Sequence, residues 1–184
     1  MVYAYLNGPL GPNFHVVTEG PQAMYRSGQL HPDDLEERVK KHNIKTVLNL
    51  RGKNPGEDWY IGERQRAAEL GIEFVSIAMS ARFLMSRDIM VQIIDVLETR
   101  PRPILVHCLA GVDRSGLISA LERLLKDPAD MKGARAQLAI FPYGHTGLGK
   151  AVRMDEFLDI YERYRQSGGK LGLRAWVETV YDPQ

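Results

Sequence analysis

The sequence predicts an α/β protein with a central, mostly parallel sheet of about four to five strands flanked by helices. Short apolar, β-branched runs alternate along the chain with longer segments whose apolar residues recur at three- and four-residue spacing. No repeat, low-complexity tract or Gly/Ser/Pro-rich linker divides the 184 residues. We therefore expect residues 1–184 to form a single domain around one core, because a chain of this length suits one domain.

Five segments have the composition of β-strands. Residues 14–18 and 23–26 flank a Gly-Pro turn, and we expect them to be edge strands. Residues 45–50, 73–77 and 104–107 are short, apolar and bounded by polar loops, so we expect them to be the buried central strands. Because these strands alternate with helices, right-handed crossovers should connect them.

The helices between the strands have recognisable ends. The first begins at Pro32, since proline suits the first helical position and the acids that follow it face the positive end of the dipole. Ser86 can cap a later helix, whose apolar residues recur every four positions. The other predicted helices span residues 60–70, 115–126, 131–140, 151–164 and 171–180.

The charge balance excludes several classes of partner. The 24 basic and 23 acidic side chains nearly cancel, so no general positive field draws the protein to nucleic acid or anionic lipid. Apolar runs are far shorter than the roughly 20 residues of a membrane span. Residues 1–12 lack the regions of a secretory signal, which predicts a cytoplasmic protein, with a removed leader as the alternative. We expect a monomer that does not bind nucleic acid and has no membrane span.

One loop carries the candidate site. Residues 107–116 read His-Cys-Leu-Ala-Gly-Val-Asp-Arg-Ser-Gly and lie between a predicted strand and a predicted helix. Ligands of α/β sheets bind beyond the carboxyl ends of strands, where helix N-termini present free N–H groups. Six successive amides of this loop can surround a tetrahedral dianion. They belong to Leu109, Ala110, Gly111, Val112, Asp113 and Arg114.

The single cysteine, Cys108, excludes an internal disulfide and a metal site built on several thiolates. Its sulfur would lie at the floor of the loop, where the amides and the helix dipole lower the thiol pKa below about 8.5. The thiolate could then attack phosphorus to form a cysteinyl-phosphate, while Arg114 binds two phosphoryl oxygens. Ser115 is placed to hydrogen-bond the departing sulfur. This scheme requires neither a metal nor a cofactor.

The pattern of His-Cys, five residues and Arg-Ser resembles the signature of the protein tyrosine phosphatases, and the compact chain resembles their dual-specificity-type branch. Residues 25–29 (Tyr-Arg-Ser-Gly-Gln) and 49–51 (Asn-Leu-Arg) are similar to segments of bacterial members. The resemblance covers roughly residues 13–164. It implies a protein tyrosine phosphatase-like fold and the hydrolysis of phosphomonoesters, of the phosphotyrosine or dual-specificity type.

The resemblance also implies roles for four residues. Cys108 is the nucleophile, Arg114 binds phosphate, and Ser115 assists breakdown of the intermediate. His107 orients the loop and helps to lower the pKa of the thiol.

The general acid of the site has more than one candidate. The family usually carries an aspartate on a mobile loop some thirty to forty residues before the cysteine, but no Asp occurs between Asp58 and Asp88. Asp113 gives the Gly-x-Asp-Arg form of some similar bacterial loops, where this residue is thought to act as the acid. The alternative is that Asp113 braces the loop by pairing with a basic side chain. Asp88 is a second candidate, although an acid in a first helical turn often only complements the dipole; we expect Asp58 to be solvated.

Several basic residues have two interpretations. Arg51, Lys53 and Arg82 could rim the pocket and attract a polyanion, but exposed basic side chains are usually only solvated. His145 follows Tyr143 and Gly144 in a segment similar to one in bacterial relatives, and could touch the pocket, although a turn histidine is the simpler interpretation.

Three other functions are open alternatives. The same mechanism could act on phosphoinositides or inositol phosphates rather than phosphoproteins. The expected phosphorylated partner is therefore a phosphoprotein, a phosphoinositide or an inositol phosphate. Without the upstream aspartate, the domain could instead be a weakly catalytic phosphate-binding module. A rhodanese-type sulfurtransferase also places a cysteine on a strand-to-helix loop, but such loops commonly hold one residue fewer before the arginine.

Overall fold

The computed structural model describes residues 12–183, so that all but the last position of the 1–12 segment lies outside the described residues. A five-stranded sheet with the order β1-β2-β5-β3-β4 forms its centre. Strands β1 and β2 are antiparallel, and the other three pairings are parallel. The strands are β1 His15–Thr18, β2 Met24–Ser27, β3 Thr46–Asn49, β4 Glu73–Ser76 and β5 Ile104–His107. The predicted fold class is confirmed.

Seven α-helices and one 3-10 turn connect and follow the strands within the described residues. Helix α1 begins at Pro32 as predicted, and the Ser86 hydroxyl accepts a hydrogen bond from the Ile89 amide at the start of α3. The helices are α1 Pro32–His42, α2 Asp58–Glu69, α3 Arg87–Thr99, α4 Asp113–Lys126, α5 Met131–Ala136, α6 Val152–Gln166 and α7 Leu173–Thr179, with the 3-10 turn at Gly149–Ala151. None of the helices in the described part of the chain has the length and apolar character of a membrane span.

Two predicted strand positions are wrong. Strand β2 is internal, because it pairs with β1 on one side and with β5 on the other. Strand β4 is an edge strand, and its four residues are only partly buried. The position of a strand in a sheet is set by pairing with distant segments, which the local composition does not encode. Strands β3 and β5 are fully buried, as expected of central strands.

The sheet separates two apolar layers. Successive residues of a strand point to opposite faces, so Leu48 packs in one layer and its neighbour Val47 in the other. The larger layer contains residues of α3, α4, α6 and α7. The smaller layer contains residues of α1, β3, β5 and the loops beside them. This arrangement leaves the carboxyl ends of β2, β3 and β5 side by side at one edge.

Candidate active site

The loop from Cys108 to Val112 leaves this edge of the sheet between two neighbours. The amide of Leu50, which follows β3, donates to the carbonyl oxygen of His107 at 2.9 Å. On the other side, the amide of Gln29, which follows β2, donates to the carbonyl of Leu109 at 3.0 Å. The segments that follow β2 and β3 therefore both hold the start of the loop by hydrogen bonds. Helix α4 begins where the loop ends.

Side chains outside the loop donate hydrogen bonds to its carbonyl oxygens. Arg26 donates from Nη2 to the carbonyl oxygens of Gly111 at 3.0 Å and Val112 at 2.8 Å. Asn13 donates from Nδ2 to the carbonyls of Ala110 at 3.2 Å and Gly111 at 3.0 Å. In a trans peptide the carbonyl and the following N–H point in opposite directions. The N–H groups that follow these carbonyls therefore face the interior of the loop, which forms a cradle for an anion.

Arg26 is the main support of this cradle. The side chain has no exposed surface, and it also donates to the carbonyl of Gln137 at 2.6 Å and lies 4.0 Å from the centre of the Tyr143 ring. Burial lowers the pKa of Arg26 to about 10, so the guanidinium keeps its charge at neutral pH. The sequence pattern contained this residue but did not reveal its role, because its partners lie in other segments.

Gly111 allows the loop to turn. Its φ of +70° is a left-handed conformation that side chains other than glycine rarely adopt. A Cβ at this position would lie only 2.4 Å from the backbone nitrogen of Gly28. The cradle therefore rests directly, backbone against backbone, on the segment that follows β2.

The sulfur of Cys108 lies at the base of the cradle, with 3% of the residue exposed. The N–H groups of Gly111 and Ser115 are directed at the sulfur, and the Ser115 hydroxyl lies 3.6 Å from it. Burial raises the pKa of the thiol, but the charge of Arg114 and the hydrogen bonds from Ser115 and Gly111 outweigh burial. The net pKa is lowered, which favours the thiolate.

Arg114 brings its charge to this site from the first turn of α4. Its Nη1 lies 3.3 Å from the carbonyl oxygens of Leu50 and Met79. These two carbonyls orient the guanidinium at the mouth of the cradle, where it can bind two oxygens of a tetrahedral anion.

A buried ion pair supports the cradle from below. The Nε2 atom of His107 lies 2.9 Å from Oε1 of Glu63 on α2, and both side chains are almost fully buried. Burial lowers the pKa of His107, but the charge of Glu63 opposes burial and the pKa is raised overall. Glu63 is not among the site residues that the sequence predicts. Its signal was a glutamate on the apolar face of α2, between the buried Tyr60 and Ala67.

The sequence matches the model of one known protein family. The family model described as "DSP-PTPase phosphatase fused to NAD+ Kinase" matches residues 11–146, close to three quarters of the chain. The protein belongs to this phosphatase family. It is a cysteine-dependent phosphatase of the dual-specificity type, and the resemblance inferred from the sequence is confirmed.

Solved structures show the same fold. TpbA from P. aeruginosa has a TM-score of 0.63 and 17% identity over 86% of this chain and 91% of its own. The core catalytic domain of the PP-IP phosphatase SIW14 from S. cerevisiae has a TM-score of 0.57 and 23% identity over 85% of this chain and 91% of its own. No curated protein matches the sequence.

In this phosphatase, the two candidate acids lie in different surroundings. Asp113 is the first residue of α4 and its Oδ1 lies 2.7 Å from Nδ1 of His145, so His145 does touch the candidate site. Asp88 is exposed at the start of α3, and among residues 12–183 no contact joins it to the cradle. The segment between β4 and α3, residues 77–86, contains no carboxylate.

Of the three basic residues expected near the rim, Arg51 contacts other site residues. Its Nη1 donates to Oε1 of Gln29 at 2.8 Å, and its guanidinium stacks 3.4 Å from the centre of the Trp59 ring. Since β5 lies between β2 and β3, this hydrogen bond crosses the start of the cradle. Lys53 and Arg82 are exposed, and so is Asp58.

Proposed function

We propose that Cys108 is the nucleophile that hydrolyses phosphomonoesters through a cysteinyl-phosphate. The observation that carries the proposal is a sulfur with a lowered pKa below a ring of inward-facing amides. The thiolate attacks phosphorus, the S–P bond forms, and the bond to the leaving oxygen breaks. Arg114 and the amides hold the three equatorial oxygens as charge develops on them. The leaving oxygen takes a proton from a general acid.

Water completes the reaction. It attacks the cysteinyl-phosphate, gives a proton to the general base, and releases phosphate and the thiolate. The Ser115 hydroxyl, 3.6 Å from the sulfur, hydrogen-bonds the thiolate as it leaves. His107 keeps the loop oriented, and its position beside Glu63 favours its charged form.

Asp113 is our choice for the general acid and base. It belongs to the cradle itself, and about a third of its side chain is exposed to solvent. Asp88, the alternative, shares no contact with the cradle in the described part of the chain. Asp113 also pairs with a basic side chain, and that pairing is compatible with both roles.

The proposed substrates are phosphotyrosyl and other phosphorylated proteins, as the dual-specificity family suggests. We propose that the protein works as a monomer. We also propose that it works in the cytoplasm, since a thiolate nucleophile without a resolving cysteine suits a reducing compartment.

Hydrolysis of para-nitrophenyl phosphate tests the proposed chemistry. We expect turnover without added metal, inhibition by vanadate, and no turnover by Cys108→Ser. Arg114→Lys keeps the charge but loses two-point binding, so we expect a higher KM and a lower kcat. Tight phosphate binding without turnover by the wild type would instead identify a phosphate-binding module.

A second substrate class, phosphoinositides or inositol phosphates, is favoured by Arg51. Its guanidinium is held by Gln29 and Trp59 and, among the described residues, has no carboxylate within ion-pair distance. A partly buried cation of this kind can bind a second phosphate on the same substrate.

Substitution of Arg51 tests this second class. Loss of a charge-assisted hydrogen bond costs about 1.5–3 kcal/mol, so Arg51→Met should lower kcat/KM for an inositol polyphosphate by about 10- to 150-fold. The exposed Lys53→Met is the matched control. An equal effect of Arg51→Met on para-nitrophenyl phosphate would exclude a second-phosphate role.

A further inference from the structure

His145 is a buried histidine with a carboxylate on each ring nitrogen. Its Nδ1 lies 2.7 Å from Asp113 Oδ1, and its Nε2 lies 2.8 Å from Asp155 Oδ2. Only 2% of the residue is exposed. A neutral imidazole carries one N–H and could donate to only one of these carboxylates, whereas an imidazolium donates to both. When both carboxylates are ionised, each ring nitrogen therefore carries a proton.

Two carboxylates face His145 and stabilise this form. Asp113 faces it from α4 and Asp155 from α6, and the buried Arg26 of β2 acts electrostatically on Asp113. The hydrogen bond to Asp113 raises the pKa of His145, and the bond and charge of Asp155 raise it further, against the opposing effect of burial. A titratable proton is thus held one hydrogen bond from the cradle.

The reaction needs such a proton. The segment before α3, where the family usually carries its acid, has no carboxylate. An isolated aspartate has a pKa of about 3.9 and holds almost no proton at neutral pH. A carboxylate paired with an imidazolium is different, because the pair as a unit retains one proton that either member can carry.

We propose that His145 supplies, through Asp113, the proton that the leaving group takes, and that Asp155 positions His145 for this transfer. The inference rests on the proposed function of Cys108 and Asp113. The Nδ1 atom of His145 first passes its proton to the Asp113 carboxylate, so the imidazolium becomes neutral and Asp113 becomes a carboxylic acid. As the bond between phosphorus and the leaving oxygen breaks, the Asp113 carboxyl gives this proton to that oxygen and ends as a carboxylate.

Hydrolysis of the cysteinyl-phosphate reverses the transfer. Asp113 accepts a proton from the attacking water, and the proton returns to Nδ1 of His145. Phosphate and the Cys108 thiolate are released, and the imidazolium is restored. His145 touches neither the substrate nor phosphorus in this scheme, and it acts only through Asp113.

Leaving-group dependence tests the role of His145. A phenol like that of tyrosine, with a pKa of about 10, needs a proton as it leaves, whereas para-nitrophenolate leaves readily as an anion. Because general acid catalysis contributes about 100-fold or more, His145→Gln should lower kcat/KM for phenyl phosphate by about that factor, and for para-nitrophenyl phosphate by much less. Equal losses for both substrates would assign His145 a structural role and overturn the proposal.

The pH profile of Asp155→Asn provides a second test, away from the cradle. The asparagine side chain can still accept a hydrogen bond from Nε2 but removes a negative charge, so the pKa of His145 should fall. The decline of kcat/KM for phenyl phosphate at high pH should then begin at a lower pH than in the wild type. The matched control is Asp159→Asn on the same helix, since Asp159 pairs with Arg135 at 2.7 Å. An unshifted decline in Asp155→Asn would also overturn the proposal.

The two levels of the hypothesis fail differently. Turnover by Cys108→Ser would refute the nucleophile, and with it the whole scheme. Suppose instead that Cys108→Ser has no turnover and that His145→Gln lowers kcat/KM equally for phenyl phosphate and para-nitrophenyl phosphate. That result would refute the proton supply alone. Vanadate affinity and thermal melting of each variant establish that the cradle is folded.

Discussion

Glu63 influences the nucleophile through a single intervening histidine. The thiolate of Cys108 raises the pKa of His107, and by thermodynamic linkage a charged His107 lowers the pKa of Cys108. Glu63 keeps His107 charged across a 2.9 Å contact. A carboxylate on α2 that never meets the substrate should therefore help to set the pH at which the enzyme is active.

Glu63→Gln tests this linkage. The neutral amide no longer supports the imidazolium, so His107 loses its proton at a lower pH and the pKa of Cys108 rises. The pH dependence of Cys108 alkylation by iodoacetamide should move to higher pH. The shift should be smaller than in Arg114→Met, since Arg114 is the larger of the favourable influences on the thiol. An alkylation profile unchanged in Glu63→Gln would contradict the linkage.

At the scale of elements, the cradle depends on close contact between two loops. Gly111 follows β5 and Gly28 follows β2, and their backbones leave no space for a methyl group between them. The hydrogen bonds of parallel strands β2 and β5 fix the distance between these loops. The loop cannot therefore move to accept a side chain without disturbing the ends of both strands.

Gly111→Ala should damage both stability and binding. Left-handed backbone costs a residue with a Cβ about 1–2 kcal/mol, and the overlap with Gly28 adds to that cost. Gly20→Ala is the control, since Gly20 has a φ of +86° but, within the described part of the chain, no atom within 4 Å of its Cβ position. Urea unfolding should show the larger loss for Gly111→Ala, and vanadate affinity should fall only in that variant. Wild-type vanadate affinity in Gly111→Ala would argue against the described cradle.

At the scale of the whole molecule, the fold extends beyond the family match. That match ends at residue 146, but α6 and α7 lie beyond it and contribute a buried aromatic cluster. Trp176 is its centre, 4.9 Å from the Tyr161 ring and 5.2 Å from the Tyr181 ring. Asp155, the partner of His145, also belongs to α6. The C-terminal helices thus stabilise the core and contribute a residue that contacts the site.

Trp176→Ala should lower the free energy of unfolding by about 3–5 kcal/mol, because truncation leaves a large cavity in a buried cluster. Phe141→Ala is a matched aromatic control, since 89% of Phe141 is exposed. Chemical denaturation of both variants checks the expectation. A loss of unfolding free energy in Trp176→Ala as small as that in Phe141→Ala would show that the C-terminal helices contribute little to stability.

The same scale explains what could be predicted from sequence. Strand 104–107 and the spacing of Cys108 and Arg114 are local features, and both were recognised. The supports of the cradle are not local, because Asn13 contacts Ala110 across 97 positions and Arg26 contacts Gly111 across 85. His145 was expected to be an ordinary turn histidine, since its two carboxylate partners are 32 and 10 positions away. The apolar periodicity of the sequence predicts helices and strands but does not predict contacts between distant segments.

The outward ties of the cradle have a consequence for the newly made protein. Asn13 reaches both the cradle and the carbonyl of Tyr143, 130 positions along the chain. A nascent polypeptide that has left the ribosome only as far as α4 lacks the later of these anchors. Without this anchor the outward hydrogen bonds of the cradle are incomplete, so the pKa of Cys108 should not yet be lowered. Enzymatic competence should consequently appear only after Tyr143 has been added, later than the cysteine and the arginine of the site.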